Sequence, residues 1–267
     1  MTETASVAPE PEAVGELYDR LLEAELEGGA FDPNLHIGYW EDPESDLPRA
    51  EAVVRFTDQH VDRLGVGPGA RVLDLGCGVG GPALRAVERT GAHLTGVSIS
   101  AGQVAHANRL VADAGLAGLA EFRHGNAMAL PFDDESFDAV MAIESLIHMP
   151  DREQVLSEVR RVLKPGGRLV LTELSERAPR PAVRHPAVEE FCRVSMLTLA
   201  DPDAYVPMLH RAGLRLRLFL DITDHTVQRN FRDLAKQIGD VDGLLFHPRD
   251  LVGVHEVGCF LAVADRP

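Results

Sequence analysis

A carboxylate followed by closely spaced glycines is the most chemically suggestive stretch of this 267-residue chain: Asp74-Leu75-Gly76-Cys77-Gly78-Val79-Gly80-Gly81, directly after the apolar run that starts at Val72. A short apolar run, a glycine turn and a helix-compatible segment read as a strand, a tight turn and a helix opening. Glycine is suited to such a turn because it tolerates positive φ and lets a ligand approach the backbone. Gly76-x-Gly78-x-x-Gly81 satisfies the dinucleotide pattern, which alone is a weak signal. A nicotinamide site also wants an acid about 20 residues on, at the end of the second strand. That end reads Thr95-Gly96-Val97-Ser98-Ile99-Ser100, with no acid. Asp74 would face a phosphate pair unfavourably, and a carboxylate there suits a cationic ligand or one with an ammonium group. The second chemical candidate is His148, which follows the apolar run Phe137–Ile143. Open α/β sheets place their ligands at that carboxyl edge, and an imidazole near half-ionisation at neutral pH suits removal of a proton from a hydroxyl. Glu173, at the end of the next strand, could orient that histidine or a substrate hydroxyl.

The elements that must position these groups alternate. Strands are expected at Arg71–Leu75, 92–99, Ala120–His124, Phe137–Ile143, 168–174, 214–222 and 256–265, and helices at 13–28, 47–64, 82–90, 101–114, 151–162, 203–212 and 223–238. Pro165-Gly166-Gly167 reads as a turn, and Ser100 as an N-cap. Alternation at this spacing implies an α/β fold, a doubly wound, seven-stranded and mostly parallel sheet of Rossmann-like type. Three parts are expected: a disordered acidic tail at 1–12, a helical lid at 13–64, and a main domain at 65–267 carrying an inserted cap at about 175–201. His36, Tyr39 and Trp40, in the aromatic segment between Pro33 and Pro43, are candidates to cover a ligand; Phe191, Met196, His225, Phe231 and His247 are candidates for an acceptor pocket.

Composition narrows the partners. The net charge of −16 repels phosphate backbones and anionic lipid surfaces, which argues against nucleic acid or membrane partners. Cys77, Cys192 and Cys259 are odd in number and lack CxxC spacing, so reduced thiols are expected. No run approaches the roughly 20 apolar residues of a membrane span, and the start of the chain lacks a signal-peptide layout; a cytoplasmic protein is expected. No His/Asp/Glu cluster has metal-binding spacing.

Asp74-x-Gly76-x-Gly78-x-Gly80 resembles the first motif of the class I S-adenosylmethionine-dependent methyltransferases, and the resemblance runs over roughly residues 18–174. It implies that Gly76, Cys77 and Gly78 approach the aminoacyl and ribose part of the cofactor. Gly96-Val97-Ser98-Ile99-Ser100-x-x-Gln103 is similar to a variant subgroup in which serine and glutamine contacts replace the ribose-binding acid, which implicates Ser98, Ile99 and Gln103. Gly125-Asn126-Ala127-Met128 resembles the segment that brackets adenine, implicating Asn126, Ala127 and Met128. Ile143 is expected on adenine, Glu144 and Ser145 facing the cofactor, and Tyr18 on its carboxylate. Leu35-His36-Ile37-Gly38-Tyr39-Trp40, with Glu144-Ser145-Leu146-Ile147-His148-Met149-Pro150, resembles the natural-product methyltransferases that include the rebeccamycin sugar O-methyltransferase. That resemblance implies methyl transfer to a small-molecule hydroxyl, on a glycoside or polyketide of secondary metabolism, with His148 as general base. Ile147 stands where those sugar enzymes tend to carry a first histidine, and Glu173 where they carry an aspartate. Spinosyn-pathway relatives that promote cyclisation supply an alternative. A C- or N-methyltransferase and a nicotinamide oxidoreductase come after it.

Overall fold

In the computed structural model the described residues are 9–28, 33–239 and 246–267. The elements in chain order are α1 (Pro11–Gly28), α2 (Arg49–Leu64), β1 (Arg71–Leu75), α3 (Gly81–Thr90), β2 (His93–Ser98), α4 (Ala101–Asp113), β3 (Ala120–His124), β4 (Phe137–Ile143), α5 (Arg152–Val162), β5 (Leu163–Glu176), α6 (Pro186–Val194), α7 (Pro202–Arg211), β6 (Arg215–Asp221), α8 (Val227–Ile238) and β7 (Val257–Asp265). The seven strands form one sheet in the order β3-β2-β1-β4-β5-β7-β6. The pairs β1–β2, β1–β4, β2–β3 and β4–β5 are parallel, while β7 runs antiparallel to both β5 and β6.

Strand periodicity sorts the core into two layers. Val72, Met141 and Val170 face a cluster that includes Phe56 and Leu64 of α2 and Phe231 of α8. Their neighbours Leu73, Leu75, Val140 and Ala142 face Val155 and Leu156 of α5 and Tyr205 and Leu209 of α7. The near-continuous apolar run of β4 is explained by burial on both faces.

Several expectations need correction. Residues 165–167 do not separate β5 from the preceding helix: Leu163 already pairs with Phe137, and Arg168 with Ala139. The Pro-Gly-Gly stretch therefore bulges out of a longer strand. Residues 1–8 of the expected tail lie outside the described residues, and α1 begins at Pro11, ahead of the expected boundary. The helix expected at 223–238 opens as a tight turn at Thr223–His225 and becomes α-helical from Val227. Finally, α2 buries Ala52, Val53, Phe56, His60, Val61 and Leu64 and packs on α3, β4 and β5. It therefore belongs to the layer covering the sheet. The excursion after β5 closes on itself, since Ser175 bridges to Ala200.

Candidate functional site

Gly76, where φ is +77°, could not carry a side chain, because a Cβ there would lie 2.3 Å from Ser145 Cβ. The loop is tied to β2: the N–H groups of Gly76 and Cys77 both donate to Val97 O, at 2.8 and 3.0 Å. Ser98 is held in turn, its hydroxyl donating to Gln103 Oε1 at 2.9 Å and accepting from Ser100 N–H at 3.1 Å. Ser100 caps α4 by accepting from Gln103 N–H.

A cavity opens above this carboxyl edge of the sheet. Its volume of about 310 Å³ lies at the lower end of the roughly 300–1,000 Å³ of small-ligand pockets, and it opens to solvent at its mouth. Every residue assigned above to the cofactor lines it: Tyr18, Asp74, Gly76, Cys77, Gly78, Ser98, Ile99, Gln103, Asn126, Ala127, Met128, Ile143 and Glu144. His148, His36, Phe191 and Phe231 line it too.

Asp74 is 2% exposed, and its Oδ2 is buried without a hydrogen-bond partner. Burial pushes its carboxyl up to about 7. An orphaned carboxylate oxygen beside a glycine loop fits the cationic amino-acid end of S-adenosylmethionine. Asn126 accepts from Met128 N–H at 2.9 Å, so its oxygen stabilises the local turn. Among the described residues no group of three or more His, Cys, Asp or Glu is arranged to hold a metal.

His148 sits on a one-turn 3₁₀ helix, Leu146–His148, after β4. Its Nδ1 is 2.9 Å from Met196 O. A carbonyl can only accept, so Nδ1 carries the proton and Nε2 presents a lone pair. The Tyr18 hydroxyl, 2.8 Å away, donates to that lone pair. Burial pulls His148 down to about 4 and pushes Tyr18 well above its usual range, so the imidazole is neutral near pH 7. Tyr18 thus contacts the candidate base as well as lining the cavity. The next residue, Asp19, docks α1: its Oδ1 accepts from the Ser100 hydroxyl and from Gly102 N–H, the latter at 3.0 Å.

Other expected site residues lie elsewhere. Glu173 is fully buried and does not line the cavity. Its Oε2 pairs with Arg152 at 3.1 Å, and Arg152 also donates to Thr198 in the cap. Burial pushes Glu173 up to about 7 against the pull of that guanidinium. Trp40 is 0% exposed; its indole N–H donates to Leu47 O at 3.0 Å, which makes it a core residue. Tyr39 stacks on His225 at 5.4 Å, and neither lines the cavity. Met196 contributes its carbonyl to His148, and His247 caps a short turn by accepting from Arg249 N–H. Sequence reasoning missed Arg49 and Asn230, which line the cavity and are joined at 3.2 Å. The available signal was an asparagine on the apolar face of α8, next to Phe231.

Residues 73–171 match the family described as "Methyltransferase domain". Over 214 residues, covering 80% of this chain and 76% of the relative, the sequence is 43% identical to methyltransferase GfsG of Streptomyces halstedii. It is 38% identical over 220 residues, 82% of this chain and 79% of the relative, to the 27-O-demethylrifamycin SV methyltransferase of Amycolatopsis mediterranei. Among solved structures, the [4+2]-cyclase SpnF superposes with a TM-score of 0.82 at 30% identity, covering 97% of this chain and 98% of that one.

Proposed function

This chain belongs to the class I S-adenosylmethionine-dependent methyltransferases of secondary metabolism, and on that premise we propose that it methylates a hydroxyl of a small-molecule natural product, a polyketide or glycoside. The observation that carries the reading is the neutral His148, its Nε2 lone pair engaged by the Tyr18 hydroxyl at the cavity wall. The cofactor, when bound, supplies an electrophilic methyl group on a sulfonium. Asp74 would hold its ammonium end, the backbone from Gly76 to Gly78 its aminoacyl and ribose part, and Ser98 with Gln103 the ribose hydroxyls. The chain's own task is positioning and proton removal. An acceptor hydroxyl donating to the Tyr18 oxygen passes its proton there as the Tyr18 proton moves to His148 Nε2. Tyr18 ends unchanged and His148 ends as imidazolium, with Nδ1–H still on Met196 O. The 27-O-demethylrifamycin SV methyltransferase, whose name specifies an oxygen acceptor, supports the same atom here.

A second reading is favoured by one specific observation. The acceptor side of the cavity is walled by Ile147, Leu174, Phe191, Leu197 and Phe231, and the SpnF structure is that of a [4+2]-cyclase. An apolar wall suits a polyene, and cyclisation needs no base. The discriminating experiment incubates the protein with methyl-labelled S-adenosylmethionine and hydroxylated macrolides, with His148→Ala and Tyr18→Phe in parallel. We expect label in an ether methyl and a loss in kcat of about 10²–10⁴-fold for His148→Ala, the usual range for general-base removal. Cyclisation of a polyene without label transfer, unaffected by His148→Ala, would establish the second reading instead. Absence of S-adenosylhomocysteine binding by calorimetry would remove both.

A further inference from the structure

Three polar side chains from distant parts of the chain, one of them the Glu144 first assigned to the cofactor, line the cavity that also carries the apolar wall. Asn230 of α8 is 3% exposed, and its Oδ1 accepts from Arg49 Nε at 3.2 Å. Its NH₂ has no partner among the described residues. Arg49 is the only Arg or Lys lining the cavity among the described residues. Glu144 Oε2 accepts from Ile37 N–H at 3.3 Å, while its Oε1 is buried with no partner. All three line the cavity, and Arg49 and Glu144 are close enough to act on each other electrostatically.

We propose that Arg49, Asn230 and Glu144 form a recognition subsite for a hydrogen-bond-accepting oxygen of the acceptor, a carbonyl or an anionic oxygen carried on an apolar body. The proposal rests on the reading of the cavity as a methyl-acceptor site and adds the chemistry that the acceptor must display beside the hydroxyl. Burial pushes Glu144 up to about 8, so at neutral pH it is protonated and can donate. The subsite then offers donors of three kinds: a guanidinium, an amide NH₂ and a carboxylic acid. A buried polar atom without a partner, such as Glu144 Oε1, is costly, and an oxygen of the ligand relieves that cost. A plain hydrocarbon would leave it standing, so the subsite discriminates among acceptors of similar shape.

The test uses three naphthalene probes of similar bulk in the full-length protein, alone and saturated with S-adenosylhomocysteine. These are 1-anilinonaphthalene-8-sulfonate (anionic oxygen), 6-propionyl-2-(dimethylamino)naphthalene (carbonyl) and N-phenyl-1-naphthylamine (no oxygen), each titrated by fluorescence. We expect at least one oxygen-bearing probe to bind about tenfold tighter than the oxygen-free one, the discrimination typical of a hydrogen bond to a charged group. A chain of net charge −16 repels anions at long range, so a preference for the sulfonate would be local. Arg49→Met and Asn230→Leu should each remove the preference while leaving affinity for the oxygen-free probe unchanged. Which probe wins identifies the oxygen as anionic or carbonyl. Equal binding of all three probes, or a preference that survives in both variants, overturns the proposal. The probe comparison without S-adenosylhomocysteine separates this failure from failure of the methyltransferase reading, which would show instead as absent S-adenosylhomocysteine binding.

Discussion

Replacing Asp74 by asparagine tests whether the orphaned carboxylate selects a cationic ligand. Burial raises its pKa to about 7 in the ligand-free protein, above the roughly 3.9 of an unfolded aspartate. The sign follows from linkage. A raised carboxyl binds more protons when folded, so this group adds stability to the empty protein as pH falls from above 7 towards 4. A ligand carrying an ammonium group needs the ionised form, so binding and protonation compete. With a pKa of about 7, apparent affinity falls about fivefold between pH 7 and pH 6, equivalent to about 1 kcal/mol, and about tenfold more by pH 5. The assay is isothermal titration of S-adenosylhomocysteine between pH 5 and pH 7, a range in which its amino group stays protonated. Glu144 and Glu173 also have raised pKa values, about 8 and about 7, so Asp74→Asn supplies the control. It should bind more weakly at pH 7 and lose most of the slope. A flat wild-type profile, or an equal slope in the variant, would refute the assignment of Asp74 to the ammonium end.

Further outcomes follow from the geometry at Trp40 and at Asp19. Trp40→Ala should cost about 3–5 kcal/mol in chemical denaturation, the cost of emptying a large core site, whereas a covering loop residue would alter ligand exchange and leave stability unchanged. Trp40→Phe, which strands the Leu47 carbonyl and leaves a smaller void, should cost less, about 1–3 kcal/mol. Asp19→Ala removes the docking contacts of α1 on Ser100 and Gly102. Loss of a charged acceptor, about 1.5–3 kcal/mol, should speed S-adenosylhomocysteine release about tenfold or more in stopped-flow, and Asp19→Asn should retain part of the effect because its amide oxygen still accepts; wild-type release rates in both would show that α1 is held by other contacts.

What could be read along the chain alone was local backbone chemistry. The strand–glycine loop–helix unit, the Ser100 cap and the seven strands follow from rules with a range of a few residues, namely hydrophobic period, positive φ and end-capping. The residues assigned to the cofactor come together around one cavity because most of them sit on the turns that follow parallel strands. The near-continuous apolar run of β4, buried on both faces, was equally legible. Side-chain partnerships across the fold were not. Tyr18 and His148 are 130 residues apart, and Arg49 and Asn230 are 181 apart; no periodicity encodes such meetings. Trp40 looks the same in sequence whether it covers a ligand or fills the core, and its complete burial, with the indole N–H on Leu47 O, decides for the core. Glu173 ends its strand where a catalytic acid would stand, yet Arg152 takes it. The sequence by itself determined the cofactor loop, because that loop is built from backbone and needs only neighbouring residues. The proposed acceptor subsite was decided by tertiary structure, because Arg49, Glu144 and Asn230 come from α2, the turn after β4 and α8 and acquire meaning only when the sheet brings them to one cavity.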